Sequence, residues 1–214
     1  MSTTYDKALV EAVGPSEGTA RLMKQVVLVV LGVVALIAAA KTSVAIPPSP
    51  VPITLGTFGV LAIAVAYGPR LGLITIGTYT LLGALGFNVF ARTTGFFNGP
   101  LEGIAYMLGG SGGYILGYVL ATIYLGYVSR RGMDRRVESL FGGLLVANVL
   151  IYVPGLLWLA YWIMSGDRLA ADTTLLDQTF AWGLTPFVIG DLIKLAVAGM
   201  LIPALWKLVG DARE

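Results

Sequence analysis

The chain has 214 residues, 57% hydrophobic and 12% charged, with a mean hydropathy of +0.83 and a net charge of +2. Soluble domains carry about 25% charged residues, so a chain with half that share cannot clothe its surface in polar groups, and lipid is its natural solvent. It has no cysteine and no histidine, the commonest ligands for zinc, copper and haem and the usual general base, so metalloenzyme and hydrolase readings are set aside, and the small net charge gives no footprint for nucleic acid.

Charges cut the sequence into apolar blocks, and crossing about 30 Å of hydrocarbon takes roughly 17–25 residues of helix. Residues 1–24 read as an N-terminal cytoplasmic tail. Residues 25–40 are uncharged between Lys24 and Lys41, and snorkelling by Lys41 together with residues 42–46 extends this short first span. "ALIAAAKTSVA" offers small residues for cleavage of a leader, but the 24 residues ahead of the apolar run do not fit a signal peptide's short basic start. Pro47, Pro48, Pro50 and Pro52 follow. Proline fixes φ and restricts its predecessor, so this loop is stiff and extended, either a lid of fixed shape or a plain connector.

The second span, residues 53–67, stops at "GPR", and the third covers residues 71–91. "NVFARTTGFFNGPLEGIAYMLGGSGGY" then forms a long outer loop rich in aromatics and glycines. Residues 103–129 are uncharged, with the glycines of "GGSGG" placing the helix proper after Gly113. No Lys-Ser/Thr follows "GGSGG", so it is no phosphate loop, and the chain carries no ATP motor. Residues 139–165 and 185–208 complete the set. These runs are apolar all round, unlike the alternating strands of a membrane barrel. The expected architecture is all-α: a polytopic membrane protein with a bundle of six transmembrane helices over residues 25–210.

Lysine and arginine set the orientation. One side holds Lys7, Arg21, Lys24, Arg70, Arg130, Arg131, Arg135, Arg136, Lys207 and Arg213, and the other only Lys41, Arg92 and Arg168. Both termini and the "SRRGMDRR" loop are therefore expected in the cytoplasm. That loop reads as a topology signal, with contact to anionic lipid or a cytoplasmic partner as the sharper alternative.

Asp191 and Lys194 interrupt the apolar run "PFVIGDLIKLAVAGMLIP". Three residues apart, they share one helix face, about 60° from each other. A helix starting near Thr185 puts them about 9 Å and about 13 Å below the outer surface. A lone charge at mid-span costs about 2.5–3.5 kcal/mol, and pairing lowers that cost. Two readings follow. The pair neutralises itself, or it faces a pocket open to the outside and receives a guest with hydrogen-bond donors and an anion. Intramembrane charges usually mark a pathway or a ligand site, which favours the pocket.

Read in order, "VPITLGTFGVLAIAVAYGPRLGLITIGTYTLLGALGFNVFA", "GGSGGYILGY", "ANVLIYVPGLLWL" and "TPFVIGDLIKLAVAGML" resemble the BioY family, the biotin-binding S components of energy-coupling-factor (ECF) transporters. The resemblance runs from about Ile46 to Lys207. It implies a cell-membrane protein that binds biotin from outside as its transported substrate, with no cofactor, metal or catalytic residue of its own. It also implies a transmembrane coupling (T) subunit and ABC-type ATPase subunits as partners. Asp191-Leu-Ile-Lys194 matches the family's DxxK signature, whose charged residues are needed for biotin handling.

The chemistry of the guest fits that signature. An aspartate accepts from the ureido N–H groups, and a lysine binds the carboxylate or the carbonyl. Which charge meets which end stays open. Phe58, Phe90, Tyr114 and Tyr152 are candidate walls, and Thr57 and Asn148 candidate neutral partners, each equally compatible with packing. Ala35 with Ala39, and Ala62 with Ala66, are small residues four apart, suited to close helix docking. In the family the first helices meet the coupling subunit, and packing within the bundle is the alternative for these faces. The sequence departs from the family pattern at Gly56, where glutamine is common, at Asn88, where proline is usual, and at Gly110-Ser111, where Pro-Thr is common. An S component for another vitamin, an ion-coupled carrier using Asp191, and a scaffold without ligand are the competing readings.

Overall fold

The computed structural model describes residues 7–211, so Arg213 lies outside the described residues. The chain is built from helices: α1 (Gly18–Lys41), α2 (Gly56–Ala84), α3 (Pro100–Met107), α4 (Gly112–Arg130), α5 (Val137–Ser165), α6 (Leu175–Gly183) and α7 (Val188–Asp211). Between α1 and α2, β1 (Ser43–Val44) and β2 (Ile53–Thr54) form a two-stranded antiparallel ribbon, with Ser43 opposite Thr54 and Val44 opposite Ile53. Among the described residues α1, α2, α4, α5 and α7 are long and apolar enough to cross a membrane.

The element α2 is not one rod. Gly68 takes φ +73°, a left-handed value that glycine tolerates, and Pro69 follows it. Residues eight apart in a straight helix are separated by about 12 Å. Here a Cβ on Gly72 would lie 3.6 Å from the Ala64 Cα, and one on Gly32 would meet both Tyr67, at 3.1 Å, and Thr75, at 2.7 Å. The chain therefore reverses at "GPR", and residues 56–67 and 69–84 lie side by side.

The helices show the inversion expected of a protein in lipid. Val26, Val27, Val30, Leu31 and Val34 of α1 are exposed, as are Val149, Val153 and Leu157 of α5. Buried contacts hold the bundle together from two clusters. Leu61, Leu125, Leu144, Ile151, Leu159 and Leu195 knit α2, α4, α5 and α7, while Val33, Leu36, Val60, Ile63, Ile76 and Phe90 join α1 to both arms of α2. Close approach of α4 to α5 depends on Gly117, where a Cβ would stand 2.6 Å from the Ile151 Cα.

One end of the bundle gathers the N-terminal turn, the Gly68 reversal, the α4–α5 loop and the end of α7. Glu11 pairs with Arg130 at 2.7 Å, and Trp206 Nε1 donates to Asp134 Oδ2 at 2.7 Å. Lys24 donates back to the carbonyls of Val10 and Val13 at 3.2 and 2.9 Å. The expected tail over residues 1–24 is thus helical from Gly18, with Ala8, Leu9 and Ala12 buried. The reason is that these three apolar residues have bundle surface to cover. The ribbon, the loop after α2, α3 and α6 lie at the opposite end. Helix α7 begins at Val188 rather than near Thr185, so Asp191 falls in its first turn. At 1.5 Å per residue the pair then sits about 4.5 and 9 Å into the helix, shallower than expected.

Candidate functional site

The segment joining β1 and β2 is fixed by backbone and side chain at both ends. Leu55 N–H faces the carbonyls of Ala39 and Thr42 at 3.1 and 3.2 Å, which anchors the ribbon to the end of α1. Ser49, buried, donates its hydroxyl to the Trp182 carbonyl at 2.7 Å and ties the proline-rich tip to the end of α6. Pro50 lies close against Gly110, where a Cβ would stand 2.8 Å from its ring. A strap results, crossing the end of the bundle. Beneath it is a cavity of about 700 Å³, counting its open mouth.

Asp191 and Lys194 both line this cavity. Their ion pair is 2.9 Å long, with side chains only 5% and 11% exposed respectively. Lys194 Nζ also donates to the Thr54 carbonyl at 2.7 Å and lies 3.3 Å from the Thr57 hydroxyl, so its three protons have three acceptors. Tyr152 donates to Asp191 Oδ2 at 2.6 Å, and Thr57 lies at the edge of hydrogen-bond reach of Oδ1, at 3.5 Å. The charges are satisfied by each other and by neutral partners drawn from β2, α2 and α5. The site is electrically neutral and rich in both donors and acceptors.

The walls are aromatic. Phe90 stacks on Tyr106 with centroids 4.7 Å apart and meets Tyr79 edge-on at 5.6 Å. Tyr114, edge-on to Tyr152 at 6.0 Å, donates to the Gly183 carbonyl at 2.7 Å and so docks α6 against α4. Burial pushes the Tyr106 phenol up to about 12, so it remains a neutral donor at physiological pH. The loop bearing Phe90 is gripped from below by Lys41. Its ammonium reaches Asn88 Oδ1 at 2.6 Å, the carbonyls of Phe90 and Thr93 at 2.8 Å each, and Thr93 Oγ1 at 2.9 Å.

Of the residues expected at the site, Asp191, Lys194, Thr57, Phe90, Tyr114 and Tyr152 line the cavity, and Phe58 and Asn148 do not. Phe58 packs against the bundle core, while Asn148 lies one helical turn below Tyr152, its Oδ1 buried without a hydrogen-bond partner among the described residues. Thr54, Tyr79, Tyr106 and Tyr118 also line the cavity and were not anticipated. Tyr118 was accessible from sequence, four residues after Tyr114 on the same face of α4. The Thr54 carbonyl was not, because a backbone acceptor has no sequence signature. Gly56, a departure from the family pattern, lines the cavity, and a Cβ there would stand 3.2 Å from the Tyr118 hydroxyl. Asn88, the other departure on this side, is the residue Lys41 grips. Of the proposed docking alanines, Ala35 is exposed and Ala39 faces Gly59 inside the bundle, while Ala62 and Ala66 are partly buried.

Comparison with known proteins points to one family. The family model described as "BioY family" matches residues 9–211. A "Probable biotin transporter BioY" of Pyrococcus horikoshii is 37% identical over 182 residues, covering 85% of this chain and 96% of that protein. The "Biotin transporter BioY" of Thermotoga maritima is 31% identical over 169 residues, covering 77% of this chain and 86% of that one. The fold is shared with a solved structure, the S-component for biotin from an ECF-type ABC transporter, at a TM-score of 0.72 and 22% identity, covering 89% of this chain and 95% of that one.

Proposed function

This chain belongs to the BioY family, and from that premise we propose that it captures biotin as the S component of an ECF-type transporter in the cell membrane. It is a transport protein and not an enzyme. The observation that carries the reading is the buried Asp191–Lys194 pair on the wall of a cavity lined by tyrosines and Phe90. A ureido ring offers two N–H donors and one carbonyl, which match a carboxylate and an ammonium side by side. The thiophane ring and aliphatic tail suit the aromatic walls. Thr57, Tyr114 and Tyr152 are the further ligand contacts this geometry supports. Asn148 and Phe58 act through packing.

In this reading the two arms of α2 count as separate crossings, giving six spans. The basic end, with Arg130, Arg131, Arg135 and Arg136, faces the cytoplasm, and so do both termini. The cavity then opens outward. A transmembrane coupling subunit and ABC-type ATPases supply the driving force, and the exposed face of α1 around Ala35 is the docking surface. Biotin binding to the purified protein tests the reading. Binding lost in both Asp191→Asn and Lys194→Ala is the expected result. Undiminished binding in both variants removes the pair from the mechanism, loss in Asp191→Asn alone favours an ion-coupled carrier, and no binding by the wild type removes biotin.

A further inference from the structure

We infer that Arg92 receives the carboxylate of the biotin tail at the cavity mouth and thereby sets a preference for the acid over its neutral amide. The inference rests on the biotin reading above. Its starting point is charge. The Asp191–Lys194 pair, which this reading assigns to the ureido ring, sums to zero charge. A monoanionic guest therefore brings one negative charge that the cavity floor does not match.

The wall segment supplies the match. Phe90 and Ala91 line the cavity, and Arg92 is the next residue. Its backbone sits at φ 59°, a left-handed value uncommon for a residue with a Cβ and held only where the surroundings impose it. The surroundings do so here, because Lys41 grips Asn88 and Phe90 before it and Thr93 after it. The Arg92 side chain is exposed, and among the described residues it makes no hydrogen bond or ion pair. Arg92 does not itself line the cavity, but its charge reaches the Tyr106 phenol of the cavity wall, opposing more weakly the upward push of burial on that phenol.

The other cations at this end are committed. Lys41 spends its protons on neutral oxygens, and Arg168 stacks on Trp162 at 3.9 Å and donates to its carbonyl at 2.8 Å. Arg92 keeps a planar fork of donors that matches a carboxylate.

The test compares biotin with biotinamide, its uncharged amide, by calorimetry on detergent-purified wild type, Arg92→Gln and Arg92→Lys. The wild type should prefer the acid by about tenfold or more, a charge-assisted contact's worth. Arg92→Gln should lose that preference while binding the amide as the wild type does, and Arg92→Lys should keep part of it. Amide binding reports that each variant is folded. A wild type that does not discriminate, or an Arg92→Gln that weakens both ligands equally or neither, overturns the assignment. A wild type that binds neither ligand overturns the biotin reading instead.

Discussion

Tyr152 donates a 2.6 Å hydrogen bond to the Asp191 oxygen that Lys194 leaves open. The carboxylate is thus held from two directions, by α5 on one side and by its own helix on the other. This fixes the plane in which it can present lone pairs to a guest. Hydrogen bonds to charged groups contribute about 1.5–3 kcal/mol. Tyr152→Phe, which keeps the ring, is expected to weaken biotin binding by about tenfold. Titration calorimetry checks this, and an unchanged affinity would show that the phenol is not orienting the site.

The pair has a cost that can be separated from its use. Removing one partner of a buried ion pair leaves an uncompensated charge and costs about 3–5 kcal/mol, whereas replacing both with neutral residues of similar volume is often harmless. Lys194→Met is therefore expected to lower the thermal unfolding temperature, and Asp191→Asn/Lys194→Met to recover most of it. Neither variant should bind biotin. If the double variant binds normally, the charges serve only the fold.

Lys41→Met removes the ammonium that fastens residues 88–93. Losing even one of these charge-assisted bonds is a change of roughly 1.5 kcal/mol, or about tenfold in the open population of the segment. Trypsin should then cut after Arg92 about tenfold faster, and biotin should dissociate faster with its association rate little altered. Resistance to trypsin equal to that of the wild type would show that the segment is held by its aromatic contacts alone.

At the opposite end, burial pushes the Asp134 carboxyl above its ordinary value, although Trp206 donates to it. The folded state therefore holds this proton more tightly than the unfolded chain. Its contribution to stability is fully present below the unfolded pKa of about 3.9 and is lost as pH rises through the raised folded value. Asp134→Asn keeps an acceptor for Trp206 and cannot ionise. Its unfolding temperature relative to the wild type should climb as pH rises from about pH 4 through the raised folded value. A difference that stays flat or falls would assign Asp134 a stabilising charge.

The long apolar helices were legible because desolvation is unforgiving: charged residues mark helix ends, and "GPR" marks a reversal since glycine and proline together cannot continue a helix. The short helices α3 and α6 escaped because each is half-exposed and lies beside a run of similar hydropathy. Their local signals were nonetheless present, Pro100 at the first turn and Thr174 capping the Asp177 N–H at 3.2 Å. At the site, charge and aromaticity carried the residues whose side chains define the cavity. Depth did not follow from helical phase. Asn148 shares a face with Tyr152 but sits one turn, about 5.4 Å, further along the axis, below the cavity floor. The grip of Lys41 on Asn88, Phe90 and Thr93 joins segments far apart in sequence and could only emerge from the fold.

The reversal at Gly68 makes the arm over residues 56–67 a stub, rising only about 18 Å where the hydrocarbon layer is about 30 Å thick. In the proposed transport reading, Thr57 at the open end of that stub lies beneath the level of the longer helices' ends, and a solute resting beside it has covered part of the barrier before any helix moves. The partner subunits would then drive only the shorter leg of the journey.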